Sequence, residues 1–466
     1  MCRSKFTLIA FHLMAALGLA ACGAPAGMKP PERAPAYLIT GVAVLDPDAR
    51  ALTPARDVLV VGGTIAAVGA QGRLAVPQNA AVIEGGGRVL MPGLMDLHVH
   101  IFDEADLAAT LAHGVTTVRN LAGLPFHLPM ARRIEEGRLA GPRLITTGTI
   151  INERGGRNVN PLQTLVSGPE EARETVRRQY AQGYRRLKLY SNVSRESFAA
   201  ILEEADRLGM SVSGHPVEGT EADPVDIART LESAYRTVEH AESIVWHALD
   251  DDTDPDGMRR LAEQIARSGV AVTPTLTVHA NLAKIVETGW SHVERTDMAS
   301  FNPVVFNIQR AEYEYWASRE SSDRPAMQQS YEAFTGMLHE AGVPIILGSD
   351  AGVMATPHGV SALEELELLV RAGLTPDAAL LTGTRNAAEI VAPDARTGII
   401  AAGYAADLVL LGADPRGNFQ ILRRPDAVMA NGYWYDEAAL AALREASHRP
   451  GVWRSRWRLL VHFLSR

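Results

Sequence analysis

The chain reads as an α/β protein, a (β/α)8 TIM-type barrel with a small β-sandwich domain built from both chain ends. Three observations predict this. Between residues 91 and 392, β-type segments alternate with amphipathic helical ones, as in βα units around a parallel sheet. Eight such strands can be drawn in that span. Short strands punctuated by Gly62-Gly63 and Gly85-Gly86-Gly87 precede the barrel, and strand patterns return after it, so the two ends complete one unit.

In chain order, residues 1–21 read as a signal peptide, with Arg3 and Lys5 ahead of the apolar run Phe6 to Leu19. That run is too short to span a bilayer comfortably. Leu19-Ala-Ala-Cys22 resembles the lipobox of bacterial lipoproteins, which implies lipidation of Cys22 and an exported protein on the periplasmic side. Gly23 in place of Asp favours the outer membrane over the inner. Residues 22–36, rich in Pro, Ala and Gly, form a tether. The only two cysteines are Cys2 and Cys22, so no thiol remains for disulfides, zinc clusters or nucleophilic catalysis. Net charge is −9, and loss of Arg3 and Lys5 with the leader makes it −11, which argues against nucleic acid as a partner.

Residues 37–90 hold strands at Tyr37–Leu45, Asp57–Val61, Thr64–Val68 and Ala81–Glu84. The barrel strands are expected at 90–101, 114–120, 142–147, 186–190, 210–215, 237–240, 270–276 and 343–350. Pro169 to Gly183 reads as a helix, with Pro and two Glu in its first turn and Gly at its end. Arg195 to Gly209 reads as another, with Phe198, Ile201, Leu202, Ala205 and Leu208 on one face. Residues 278–342 exceed a normal βα connection and are rich in aromatics, so they read as a packed helical insertion whose edge can roof the site. Ser361 to Val391 is helical, and residues 393–440 return to strand. Residues 441–466 are a basic amphipathic tail suited either to a bilayer surface or to docking on the barrel.

In a TIM-type barrel, chemistry sits at the C-terminal strand ends. Strand alternation sets Asp96, His98 and His100 on one face of the first strand. The fourth strand adds Lys188 between two leucines, the fifth His215, the sixth His240 and the eighth Asp350. Each has a structural alternative, such as a hydrogen-bonded core histidine or a turn-capping Asp. Together they point to metal ligation, because such strands are otherwise Val, Ile and Leu.

These residues carry a resemblance to the amidohydrolase superfamily, in its binuclear, imidazolonepropionase-like and prolidase-like branch. It rests on Pro92-Gly-Leu-Met-Asp-Leu-His-Val-His100, Leu187-Lys-Leu-Tyr190, Ser213-Gly-His215, Glu239-His240 and Gly348-Ser-Asp-Ala-Gly352, and on Thr384-Arg-Asn-Ala-Ala and Gly403-Tyr-Ala-Ala-Asp-Leu-Val. The resemblance implies two divalent metal ions, zinc by default. His98, His100 and Asp350 would hold one, His215 and His240 the other, and a CO2-derived carbamate on Lys188 would bridge them. It also implies a metal-bridging hydroxide that attacks an amide carbonyl, with Asp350 as catalytic proton shuttle.

Departures lie in substrate recognition. Tyr190-Ser-Asn-Val stands where relatives often carry Ser-Gly-Gly, and Gly155-Gly-Arg-Asn158 where they carry Gly-Gly-His. Tyr190, Arg157, Asn158, His279 and His358 are the candidate substrate contacts, and Arg157 could clamp a carboxylate. The leading substrates are N-acyl amino acids or dipeptides, a small-molecule amide in either case; homo-oligomerisation is left open. One alternative is a mononuclear deaminase or cyclic amidohydrolase using Glu218 of His215-Pro-Val-Glu218. A phosphotriester or lactone hydrolase would use the same ligands. Another alternative is a catalytically inactive, lipid-tethered binding protein. No Gly-x-Ser-x-Gly, His-Glu-x-x-His or phosphate-loop motif is present.

Overall fold

The computed structural model describes residues 27–156, 159–221, 223–319 and 323–464. The signal-peptide and lipidation readings, Cys22 included, lie outside the described residues, as do Arg157 and Asn158.

The small β unit is one continuous sheet. Strands β1 (Ala36–Asp46), β2 (Ala51–Val61), β3 (Thr64–Ala70), β4 (Ala81–Glu84) and β5 (Val89–Pro92) come from the N-terminal side. They share an eight-stranded sheet with three strands from the C-terminal side. Its core is Ile39, Val42, Val58, Val60, Ile65, Leu90, Leu408, Leu410 and Met429.

The single strand expected over 90–101 is two strands. At Gly93 the chain leaves the small sheet and enters the barrel, as β6 (Leu94–Val99). The Gly93 N–H donates to the carbonyl of Asp407, and a Cβ here would lie 2.3 Å from Thr116 Oγ1, so the crossing needs glycine.

The barrel continues through β7 (Val115–Asn120), β8 (Arg143–Thr146), a short side pair β9 (Ile151–Glu153) and β10 (Thr164–Val166), then β11 (Arg186–Leu189), β12 (Ser211–Gly214), β13 (Tyr235–Glu239) and β14 (Ala271–Thr273). Pairing is parallel from β6 to β8 and from β11 to β14. Gly148 N–H donates to the Arg186 carbonyl across the join between the two sheets.

The eighth position is extended rather than a regular strand. Residues 343–351 bridge β14 at Ile345 and β6 at Ala351, with Asp350 N–H to the His98 carbonyl at 2.8 Å and His100 N–H to the Ala351 carbonyl at 2.7 Å. Asp350 itself has φ 56°, which breaks the ladder there and turns its side chain.

Helices pack outside for local reasons. Asp103 caps Glu104–Ala112 and is capped in return by Asp106. Ser194 caps Arg195–Arg207, which buries Phe198, Ile201 and Ala205, with Leu202 and Leu208 packed partly against the core. Asp254 and Pro255 open Pro255–Ser268 and left-handed Gly269 closes it.

Between β14 and residue 343 the chain is helical. Leu276–Thr288, Trp290–Val293 and Pro303–Ala317 form a layer of their own, with Tyr313, Ile285 and Val293 in its core; Arg324–Glu340 returns to the barrel through Tyr331, Phe334 and Leu338. This layer touches the loop after Asp350, where Tyr313 Oη accepts from Ala355 N and Gln309 from Met354 N. After helices Val360–Arg371, Pro376–Thr382 and Arg385–Val391, β15 (Leu408–Leu411) is shorter than the strand read from Gly398 onward. Residues 398–407 form a loop, and β16 (Ala427–Ala430) and β17 (Tyr433–Tyr435) follow.

Candidate active site

At the C-terminal ends of β6, β11, β12 and β13, and at residue 350, the structure gathers His98, His100, Lys188, His215, His240 and Asp350. Asp350 Oδ1 lies 2.8 Å from His100 Nε2 and 3.4 Å from His98 Nε2. The His98 ring centre is 4.6 Å from that of His240, and His240 is 4.4 Å from His215. Donor atoms of His98, His240 and Asp350 fall within 4.8 Å of one another.

Lys188 is fully buried on β11, and its Nζ finds no hydrogen-bond partner; nor does Nδ1 of His215. Such orphaned polar atoms are costly unless a ligand completes them. Clustered imidazoles with a carboxylate are the donors that borderline divalent cations take, so these residues fit a metal site.

The electrostatics agree with neutral imidazoles around one anion. Burial, then the Lys188 charge, pushes His98 down to about 4. Burial holds His215 and His240 well below the usual histidine value. For Asp350 burial acts to raise the pKa, and the imidazoles of His98 and His100 more than reverse it, so it stays ionised. Burial lowers Lys188 to about 8, against the opposing pull of Glu239 and Asp350.

A supporting layer escaped the sequence reading. The His98 Nδ1–H donates to Glu239 Oε2 at 2.9 Å, and Glu239 Oε1 accepts from Arg119 Nη2 at 2.8 Å. Arg119, wholly buried, also donates to the Leu97 carbonyl and to Thr237. With Nδ1 engaged, His98 presents Nε2 towards Asp350. His240 Nδ1 pairs with Thr275 Oγ1 at 2.7 Å. Asp96 accepts from Ser349 N–H and Oγ, tying the first strand to the eighth position. The legible signal was a charged residue in an apolar strand, Arg119 within Val115–Asn120, and Glu239 beside His240. His240 and Asp350 sit at φ 70° and 56°, left-handed conformations that cluster where side-chain placement matters.

The expected substrate contacts scatter. Tyr190 stacks on His215 at 4.1 Å, and burial beside Asp350, Glu242 and Glu218 pushes its phenol up to about 12. His279 is half-buried, 3.7 Å from Glu242, and packs edge-on to Tyr331. His358 lies beneath the His100 backbone. Its Nε2 lies 3.2 Å from the His100 carbonyl and 3.9 Å from Asp106, with the ring buried and Nδ1 without a hydrogen-bond partner. Glu218 lines an outer groove with Trp246, His247 and Asp250.

A sequence model of the Amidohydrolase family matches residues 89–435, from the last strand of the small sheet to β17. The chain belongs to the Amidohydrolase family. It is a hydrolase of that family, whose members typically bind divalent metal ions. Ochratoxinase of Aspergillus niger is 25% identical over 406 residues, 73% of this chain and 73% of its own. Among solved structures, a bottromycin amidohydrolase aligns with a TM-score of 0.71 at 26% identity, over 89% of this chain and 91% of that one. A Xaa-Pro dipeptidase with bound methionine in its active site aligns at 0.67 and 20% identity, over 86% and 100%, and shares the fold.

Proposed function

We propose that this amidohydrolase cleaves the amide bond of an N-acyl amino acid or dipeptide, with His98, His100, Lys188, His215, His240 and Asp350 holding two divalent cations. The observation that carries the reading is Lys188, a buried amine without a partner in the midst of four imidazoles and Asp350. As a carbamate, its ammonium having lost two protons in all and its nitrogen having added carbon dioxide, Lys188 would offer one negative charge shared over two oxygens where a cation stands now. When bound, the cations supply a water activated near neutral pH and polarisation of the scissile carbonyl.

The chain's own residues do the rest. Asp350, held ionised, takes the proton of the attacking water and hands it to the leaving amine. Glu239 and Thr275 hold the rings of His98 and His240. Tyr190, packed on His215 and with its phenol kept protonated, would donate a hydrogen bond to the developing oxyanion. The bottromycin amidohydrolase, by its name an enzyme of amide chemistry, supports an amide substrate. The deaminase alternative has less behind it, since that branch has no need of a lysine such as Lys188, buried and without a hydrogen-bond partner.

The test is metal content per chain, with bicarbonate present, for the parent and Lys188→Ala, followed by turnover on N-acyl amino acids and dipeptides. About two equivalents falling to one or fewer, with turnover lost, is expected for a bridged pair. A single equivalent unchanged by the substitution refutes the bridge. Export and lipidation at Cys22 belong to the same proposal, and incorporation of labelled fatty acid that Cys22→Ser abolishes checks them.

A further inference from the structure

The tail helix Val452–Leu464 has two unlike long faces. Ser455, Leu459 and His462, spaced three and four apart, are buried against the body. Leu459 packs with Leu124 and Val304, Ser455 accepts from Asn302 at 3.0 Å, and Arg454 and Arg458 reach the buried carboxylates of Asp103 and Glu104 just after the first barrel strand. The helix is therefore fixed in place at the mouth end of the barrel.

Trp453, Trp457, Leu460 and Leu464, also at helical spacing, form the opposite stripe and are exposed by 80, 43, 46 and 75%, with Phe463 and Val461 beside them. Single exposed apolar residues are ordinary, but six on one short helix make a contiguous patch that needs an occupant.

Two observations name the occupant. Charge is the first: residues 449–466 contain five arginines and no acidic residue in a chain of net charge −9, and with Arg449, Arg454 and Arg458 paired to Glu445, Asp103 and Glu104, Arg456 is left exposed. Arg456 is exposed beside Trp453, and a groove of about 710 Å³ that reaches His462 is lined by Arg132, Arg154 and Arg178 against a single carboxylate, Glu171. The second is where the chain enters the fold. Gly27 lies against Ala442 and Ala446 of helix Glu437–Ser447, the element immediately before the tail helix. The 26 residues upstream, with their apolar run Phe6 to Leu19, thus join the described chain beside the helix that leads into the tail.

We propose that this face docks on a lipid bilayer bearing anionic headgroups, with the helix lying in the interface plane, its Trp and Leu stripe inserted and Arg456 on a phosphate. Among the described residues no helix is long and apolar enough to cross a membrane, so the contact is superficial. It holds the barrel mouth near the surface, and it does not depend on lipidation of Cys22 or on the substrate proposed above.

Tryptophan quenching by brominated phospholipid tests it directly on the full chain, in vesicles of phosphatidylglycerol and phosphatidylcholine. Parent and Trp453→Phe/Trp457→Phe are compared, the other four tryptophans serving as internal background. Quenching in the parent that is lost in the double variant, and that weakens several-fold in vesicles of phosphatidylcholine alone, is expected. Equal quenching in both proteins overturns the proposal. So does a parent tryptophan signal that changes with protein concentration without lipid, because the face then pairs with a second copy of the chain. The variants sit on an exposed surface, and an unchanged urea midpoint shows that the fold is intact.

Discussion

Glu239→Gln removes one negative charge from beneath the candidate metal site while leaving its shape. The carboxylate now accepts from both Arg119 Nη2 and His98 Nδ1, at 2.8 and 2.9 Å. A carboxamide has one oxygen, so one of those donors must face an NH2 group. Losing a charge-assisted hydrogen bond costs about 1.5–3 kcal/mol. Removing the partner of a metal-ligating histidine typically weakens metal binding about 10–100-fold, or roughly 1.4–2.7 kcal/mol. The two routes meet near 2 kcal/mol. Competition against a chromophoric chelator at pH 7.5 should show weaker zinc binding by a factor in that range. Arg119 loses its anion, so the metal-free variant should also unfold at lower urea. Zinc affinity within about twofold of the parent would refute the view that Glu239 orients His98, because loss of an orienting partner weakens a metal site by at least about tenfold.

Three further outcomes are expected. His127 is wholly buried, accepting from Leu124 N–H and donating to the Ile101 carbonyl, and burial pushes it down to about 3. Its folded value lies below its unfolded one, so its stabilisation is present above about pH 6.5 and is lost as pH falls towards 3. That is roughly 1.4 kcal/mol per pH unit at most, and urea midpoints should fall less steeply with acid in His127→Asn. Gly348→Ala should cost about 1–3 kcal/mol and most of the turnover, because the new Cβ would lie 2.3 Å from Thr273 Cγ2 and 2.8 Å from His98 Cβ; urea unfolding and a turnover assay read both. Arg458→Ala deletes a guanidinium paired with Glu104 and stacked over Phe126, so the tail should be clipped several-fold faster near Pro450 by a protease, with metal binding unchanged.

What the sequence determined by itself is whatever local periodicity encodes. Strands alternating with helices, and polar residues at strand ends in a chain whose strand interiors are apolar, announce a barrel with its chemistry at one mouth. The six candidate ligands were legible because a buried strand tolerates His, Lys and Asp only under functional constraint.

Tertiary structure decided the rest, because it depends on pairs distant in sequence. Glu239 reads as one more strand residue until folding sets it against His98, 141 positions away, and Arg119. His358 reads as a substrate contact, and only folding sets its Nε2 3.2 Å from the carbonyl of His100, 258 positions away. The strand read as continuous over 90–101 had to divide at Gly93, because its two halves belong to different sheets. The tail helix, equally suited by composition to a bilayer or to the barrel, has one face buried on the barrel and the other exposed. Only the position of Asp103 and Glu104 beneath Arg454 and Arg458 could decide which face is covered, since helix periodicity sorts residues into faces but does not say what each face meets.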